Sequence, residues 1–166
     1  NKIKGNLDLK FDKIYTSPLQ RTHITANIIA KSLHIPDVLI NNDLVEREFG
    51  SMAGKKTSDI KKLCNPNIFK TDVCTYFTKA KGAETFTQLI KRAKKILRFI
   101  KLKHKNGKIL LVTHGDIGKM IFASYYNLDW ENALKQFHFG NAELILLSRR
   151  IDFKKSKIVE IEQRNI

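Results

Sequence analysis

The chain has 166 residues and a mass of 19.2 kDa, the span of one domain able to bury its own core; its 42% apolar content and mean hydropathy of -0.31 predict an ordinary globular protein. No run reaches the ~18 apolar residues of a membrane-spanning helix, and two cysteines, Cys64 and Cys74, are too few for a disulfide framework or a paired zinc spacing, so both read as free thiols. A formal charge of +15 and a pI near 9.9 attract polyanions of every kind, yet the lysines spread through 55–62, 91–105 and 154–157 read equally well as solvated faces in a chain rich in Lys, Asn and Ile.

Along the chain, Phe11 to Thr16 predicts a strand, and Ser17-Pro18 predicts a helix start with Ser as N-cap and Pro as first helical residue. Leu19, Ala26, Ile29, Ala30 and Leu33 then form one apolar stripe, with Arg21 on the first turn. Leu44 to Gly54 is a charged cluster among glycine turns. The polar, weakly periodic stretch 54–82 predicts a short helix near Ser58 to Leu63 and otherwise surface loops. A longer amphipathic helix starts at Glu84-Thr85, carries Phe86, Leu89, Ile90, Ala93, Ile96, Leu97 and Ile100 inward, and is expected to stop in a left-handed turn at Asn106-Gly107. Lys108 to Thr113 reads as a strand, the segment after His114-Gly115 as a helix with Ile117, Ile121 and Phe122 facing inward, and 143–147 and 157–161 as further strands. Such alternation predicts a single α/β domain with a largely parallel sheet.

Three segments carry residues suited to phosphate chemistry. His114 follows an apolar strand and opens a helix, where parallel sheets bind ligands and helix N-termini offer free N–H groups; a structural histidine fits the same position. Glycine at 115 permits close approach or an unusual turn. Arg21 aims a planar fork of donors at the same rim, though a surface arginine paired with an acid would look alike. Glu46, in Leu44-Val45-Glu46-Arg47-Glu48-Phe49-Gly50, could protonate a departing alkoxide if its surroundings raise its pKa, and could equally be half of a solvated ion pair.

Together these segments resemble the histidine phosphatase (phosphoglycerate-mutase-like) superfamily. Thr16-Ser17-Pro18-Leu19-Gln20-Arg21-Thr22 is similar to the family's Ser-Ser-Pro-Leu-x-Arg-Ala, and Glu46 to Gly54 is similar to its Glu-x-x-Phe-Gly-x-x-x-Gly. Gly82-Ala83-Glu84-Thr85 with Arg92 resembles its Gly-Glu-Ser helix start and following Arg, with an extra Ala; Thr113-His114-Gly115 resembles its second histidine motif, and Asn141 the residue opening its last core strand. The resemblance implies a three-layer α/β/α fold with a mainly parallel sheet and a phosphomonoester phosphatase in which a histidine attacks phosphorus to give a phosphohistidine. It assigns leaving-group protonation to Glu46, the grip on the phosphoryl group to Arg21 and His114 with Gly115 beside them, a substrate contact to Arg47, and support of His114 to Asp116 and Asn141. Asn1 to Leu9 looks like the loop downstream of the family's Arg-His-Gly, which adds Asn6 to the substrate-binding set. The Arg-His-Gly-Glu strand and first helix have no counterpart here, so the sequence is expected to join pieces of a longer chain whose nucleophilic histidine lies upstream; His23, His34, His104 and His138 read as surface or local structural residues.

The resemblance further implies no metal, with 2,3-bisphosphoglycerate needed only by a mutase. The expected partner is a small phosphorylated metabolite or a phosphoprotein, in the cytoplasm since no leader pattern opens the sequence, with a homodimer left open and nucleic acid least favoured for want of a binding motif. The short 54–82 connection favours phosphatase over cofactor-dependent phosphoglycerate mutase, and an inactive phospho-ligand-binding module remains the alternative of another class.

Overall fold

Ile14 and Tyr15 are consecutive strand residues that point to opposite faces of a sheet, and each ends in a different core. The computed structural model describes residues 10–136, 138, 140, 143–148 and 158–159. Its elements are β1 (Lys13–Thr16), α1 (Gln20–Leu33), β2 (Val38–Ile40), α2 (Ile60–Cys64), β3 (Ile68–Lys70), β4 (Thr75–Phe77), α3 (Phe86–Lys103), β5 (Ile109–Val112), α4 (Gly115–Tyr126), α5 (Trp130–Gln136), β6 (Leu144–Ile145) and β7 (Ile158–Val159). The central sheet runs β2-β1-β5, all parallel, with Ile14 opposite Val38 and Leu110.

Because that register holds the period of two across all three strands, Ile14, Leu110, Val38 and Val112 face α1, against Ala26, Ile29, Ala30 and Leu33. Tyr15, Leu39, Ile109 and Leu111 face the other way, onto Leu89, Ala93 and Ile96 of α3, Ile117 and Met120 of α4, and Ala133 and Leu134 of α5. Helices on both faces make the three-layer α/β/α arrangement with a mainly parallel sheet. Each large apolar side chain sealed in these layers contributes roughly 1.5–3 kcal/mol by leaving water. A third cluster, Met52, Ile60, Cys64 and Phe77, packs the 50–77 region beside the main core. Both cysteines are free, and among the described residues no helix is long and apolar enough to cross a membrane.

Several local expectations are corrected. Helix α1 begins at Gln20 with Leu19 as its cap, so Pro18 is not its first residue, and Ser17 Oγ instead accepts the Leu19 N–H at 3.2 Å. Helix α3 does start on Thr85, through a capping box with Gln88, but it stops at His104 with φ -136 and no left-handed residue at Gly107. The left-handed stops are His34 after α1 and Asn127 after α4. Within 54–82 the short helix forms at 60–64, and an unexpected hairpin pairs Ile68–Lys70 with Thr75–Phe77. Strand β2 was not expected either, and the last two strands shorten to 144–145 and 158–159, pairing antiparallel with each other outside the central sheet.

Candidate active site

Strands β1 and β5 end side by side, Thr16 opposite Val112, so the segments that follow emerge together at the C-terminal rim. Ser17 N–H donates to the Val112 carbonyl at 3.3 Å, and both Thr16 and Ser17 are fully buried. His114 is the N-cap residue of α4, with extended φ/ψ of -122 and 174, and its Nε2 lies 3.0 Å from Ser17 Oγ. Burial chiefly, then the positive charges of Arg21 and Arg92, hold the His114 pKa down at about 4. At neutral pH the imidazole is therefore uncharged, and an anion must dock before a proton there becomes favourable. Arg21 sits exposed on the first turn of α1, near enough for its charge to act on His114.

Glu46 reaches this rim from the other side. Its carboxylate accepts the N–H groups of Asp116 at 3.4 Å and Ile117 at 3.3 Å, on the first turn of α4, and that of Arg47 at 2.9 Å. Those amides at a helix N-terminus suit an anion. Gly115 lies against the same carboxylate: a Cβ there would stand 3.8 Å from Glu46 Oε2, an ordinary contact, and its φ is not left-handed, so of the two alternatives the unusual turn is absent. The Thr113 hydroxyl donates to the Leu44 carbonyl at 2.7 Å, tying the end of β5 to the Glu46 segment. Arg21, Glu46, His114 and Gly115 thus share one end of the sheet.

Arg47 does not line that rim. It is 4% exposed, its guanidinium 4.1 Å from the Phe77 ring centroid and 4.2 Å from that of Phe86, and it donates to the Phe77 carbonyl at 3.1 Å. Its Nε stands 3.2 Å from an Asp116 oxygen as an ion pair without hydrogen-bond alignment. The expected substrate contact gives way to a supporting place under the site. Asp116 is buried with it, and burial, its largest influence, pushes its carboxyl pKa up while Arg47 pulls it down. Lys119, 2% exposed, completes the cluster by donating to Tyr76 Oη at 2.7 Å. Burial pulls the pKa of Lys119 down and that of Tyr76 up.

Asn6 and Asn141 lie outside the described residues. His104 bonds Tyr15 Oη through Nε2 at 2.9 Å, His34 is the left-handed cap of α1, and His138 stands 3.9 Å from Cys74 Sγ. Among the described residues no group of three His, Cys, Asp or Glu side chains could hold a metal ion. Sequence reasoning missed Ser17 as the partner of His114, because a serine before a proline reads as a cap whatever its hydroxyl contacts.

Comparison with known proteins sets this geometry in context. The profile of the histidine phosphatase superfamily (branch 1) matches residues 6–161. A metal-independent phosphoserine phosphatase of Arabidopsis thaliana is 32% identical over 112 residues, 66% of this chain and 46% of its own length. Phosphoglycerate mutase-like protein 4 of the same plant is 33% identical over 119 residues, 68% of this chain and 50% of its own. Among solved structures, the native mycobacterial glucosyl-3-phosphoglycerate phosphatase superposes with a TM-score of 0.68 at 18% identity, covering 87% of this chain and 70% of that one, a likeness of fold. The chain spans about half the length of the curated relatives it matches.

Proposed function

The chain belongs to the histidine phosphatase superfamily, and on that premise we propose that the protein is a phosphomonoester phosphatase of small phosphorylated metabolites, working in the cytoplasm through a phosphohistidine without a metal. The observation that carries this reading is the meeting of a carboxylate, Glu46, with the His114 end of α4, whose first-turn amides donate to it. A docked phosphate dianion there receives the guanidinium of Arg21 and an N–H of His114, and Glu46 stands beside it as the acid of the step.

In the forward step a histidine nitrogen bonds to phosphorus as the ester P–O bond breaks, and the leaving oxygen takes the Glu46 proton. In the return step Glu46, now ionised, removes a proton from water, which attacks phosphorus and releases the histidine with inorganic phosphate. None of the five histidines in the sequence suits the attack: His114 is the binding partner, His104 is joined to Tyr15, His34 caps a helix end, His23 lies within α1 and His138 stands against Cys74. The second edge of β5 has no strand partner among the described residues, and a nucleophile-bearing strand of the whole protein fits there beside His114. Similarity to a mutase-like plant protein keeps phosphoglycerate isomerisation as the competing reading.

The deciding experiment exposes the full-length protein to a phosphodonor, quenches in base, and searches by mass spectrometry for an acid-labile phosphoryl group. Phosphohistidine that water discharges is expected; no phosphoenzyme under turnover conditions would overturn the scheme, and isomerisation of phosphoglycerate outrunning hydrolysis by orders of magnitude would replace phosphatase with mutase.

A further inference from the structure

Arg92 lies on α3, half-buried, and its guanidinium is saturated with acceptors. Its Nε and Nη2 donate to the two carboxylate oxygens of Glu84 at 3.0 and 2.6 Å. Its Nη1 donates to the carbonyls of Asp43 and Val45, each at 2.6 Å, and Nη2 also reaches the Glu46 carbonyl at 3.3 Å. One planar fork therefore grips three of four consecutive peptide carbonyls, and the last belongs to Glu46 itself. The same stretch is stitched to the segment before α3 by Glu84 N–H to the Glu48 carbonyl and Ser51 N–H to the Lys81 carbonyl, both 2.8 Å.

A segment built from a 3-10 turn at 42–44 and another at 50–52 has few backbone bonds of its own between them. Whatever fixes the peptides around Glu46 fixes where its carboxylate lies relative to α4. Charge-assisted, bidentate bonds are the strong and directional kind, and a lysine, with one point charge, cannot span the five acceptor oxygens at once.

We propose that Arg92, itself oriented by Glu84, is a positioning residue for the proton transfer made by Glu46. The inference rests on the general-acid role of Glu46 given above. Misplacing a catalytic group by about 1 Å can cost on the order of 100-fold in rate, and the loss should fall where the proton matters most.

The test compares kcat/KM, which reports the phosphorylation step, on p-nitrophenyl phosphate and on an alkyl phosphate such as glycerol 2-phosphate, using the full-length protein. Glu46→Gln is the reference, expected to lose about 100-fold or more on the alkyl ester and only about tenfold on the nitrophenyl ester, whose leaving group needs no proton. Arg92→Lys should show the same bias toward the alkyl ester, roughly tenfold between the two substrates, with competitive inhibition by inorganic phosphate changed less than about threefold because Arg21 and His114 stay in place. Glu84→Gln, which frees the guanidinium without removing it, should show a smaller bias of the same sign and serves if Arg92→Lys does not fold. Equal losses on both esters in Arg92→Lys and Glu84→Gln, with Glu46→Gln still biased, would reduce Arg92 to a structural arginine and overturn the inference alone. A Glu46→Gln variant with no bias would overturn the role of Glu46, and that of Arg92 with it.

Discussion

Gly50 offers a way to separate backbone strain from close packing at the seam beneath the site. Its φ is +52, and a Cβ built there would stand 2.2 Å from the Lys81 carbonyl oxygen, 2.4 Å from Ala83 N and 2.4 Å from Gly82 C, all backbone atoms that cannot rotate away. Gly54 has φ +72 with open space around it. Gly54→Ala therefore costs the left-handed conformation alone, roughly 1 kcal/mol. Gly50→Ala costs that and forces the two segments apart, stretching the Ser51 to Lys81 and Glu48 to Glu84 bonds, both 2.8 Å. At about 1 kcal/mol for each hydrogen bond the total comes to ~3 kcal/mol. In urea titrations of the full-length protein, with a slope near 2 kcal/mol per M, the midpoint should fall by about 1.5 M for Gly50→Ala and about 0.5 M for Gly54→Ala, with slopes unchanged. Equal midpoints for the two variants would refute the close-approach reasoning.

Three further outcomes follow from named contacts. Sulfate stays dianionic above pH 3, so proton uptake on its binding, read by calorimetry in buffers of different ionisation heat, reports the protein: with free His114 held at about 4, affinity should rise as pH falls from 7 toward 5, and His114→Asn should remove that dependence; an unchanged dependence would move the proton to another group. The same depression means that His114 supports the fold fully above its ordinary 6.5 and that this support is lost as pH falls toward 4, because the unfolded chain takes up the proton first. Thr85→Ala removes the acceptor for Gln88 N–H at 3.3 Å and half of a capping box, and should lower stability by about 1 kcal/mol in the same urea assay; no loss would mean that α3 is held by packing alone.

What could be read from the sequence was what repeats. The stripe Phe86, Leu89, Ala93 and Ile96 is buried because a helix of period 3.6 has only one way to hide it, and Ile14 with Leu110 had to share a face once two strands lay parallel. Strand β2 escaped because three residues between Asp37 and Asn41 are too few to show a period, and the hairpin because its turn is held by Thr71 and Cys74 bonding each other through side chain and backbone, with no Asn-Gly signal. The site divides along the same line. Arg21, Glu46 and His114 were legible as a pattern of types and spacings, whereas Arg47 looked like a rim residue because nothing in its neighbours says that Phe77 and Phe86, 30 and 39 positions on, will close over it. Contacts of that range depend on the finished fold.

The positive charge falls into an exposed and a buried set. Lys55, Lys56, Lys61, Lys62, Lys91, Lys94 and Lys101 are exposed, so their field reaches only about 8 Å at physiological salt and sets how often an anion arrives. The buried cations act otherwise. Arg47 and Lys119 share the carboxylate of Asp116 beneath the first turn of α4 and serve geometry more than field, while Arg92, matched by Glu84, holds the Glu46 segment and still acts by charge on His114. On the proposed function, what distinguishes a phosphoryl group from any other anion at this rim is the directional set of Arg21, His114 and Glu46, and added salt should slow capture of substrate far more than it alters the chemical step.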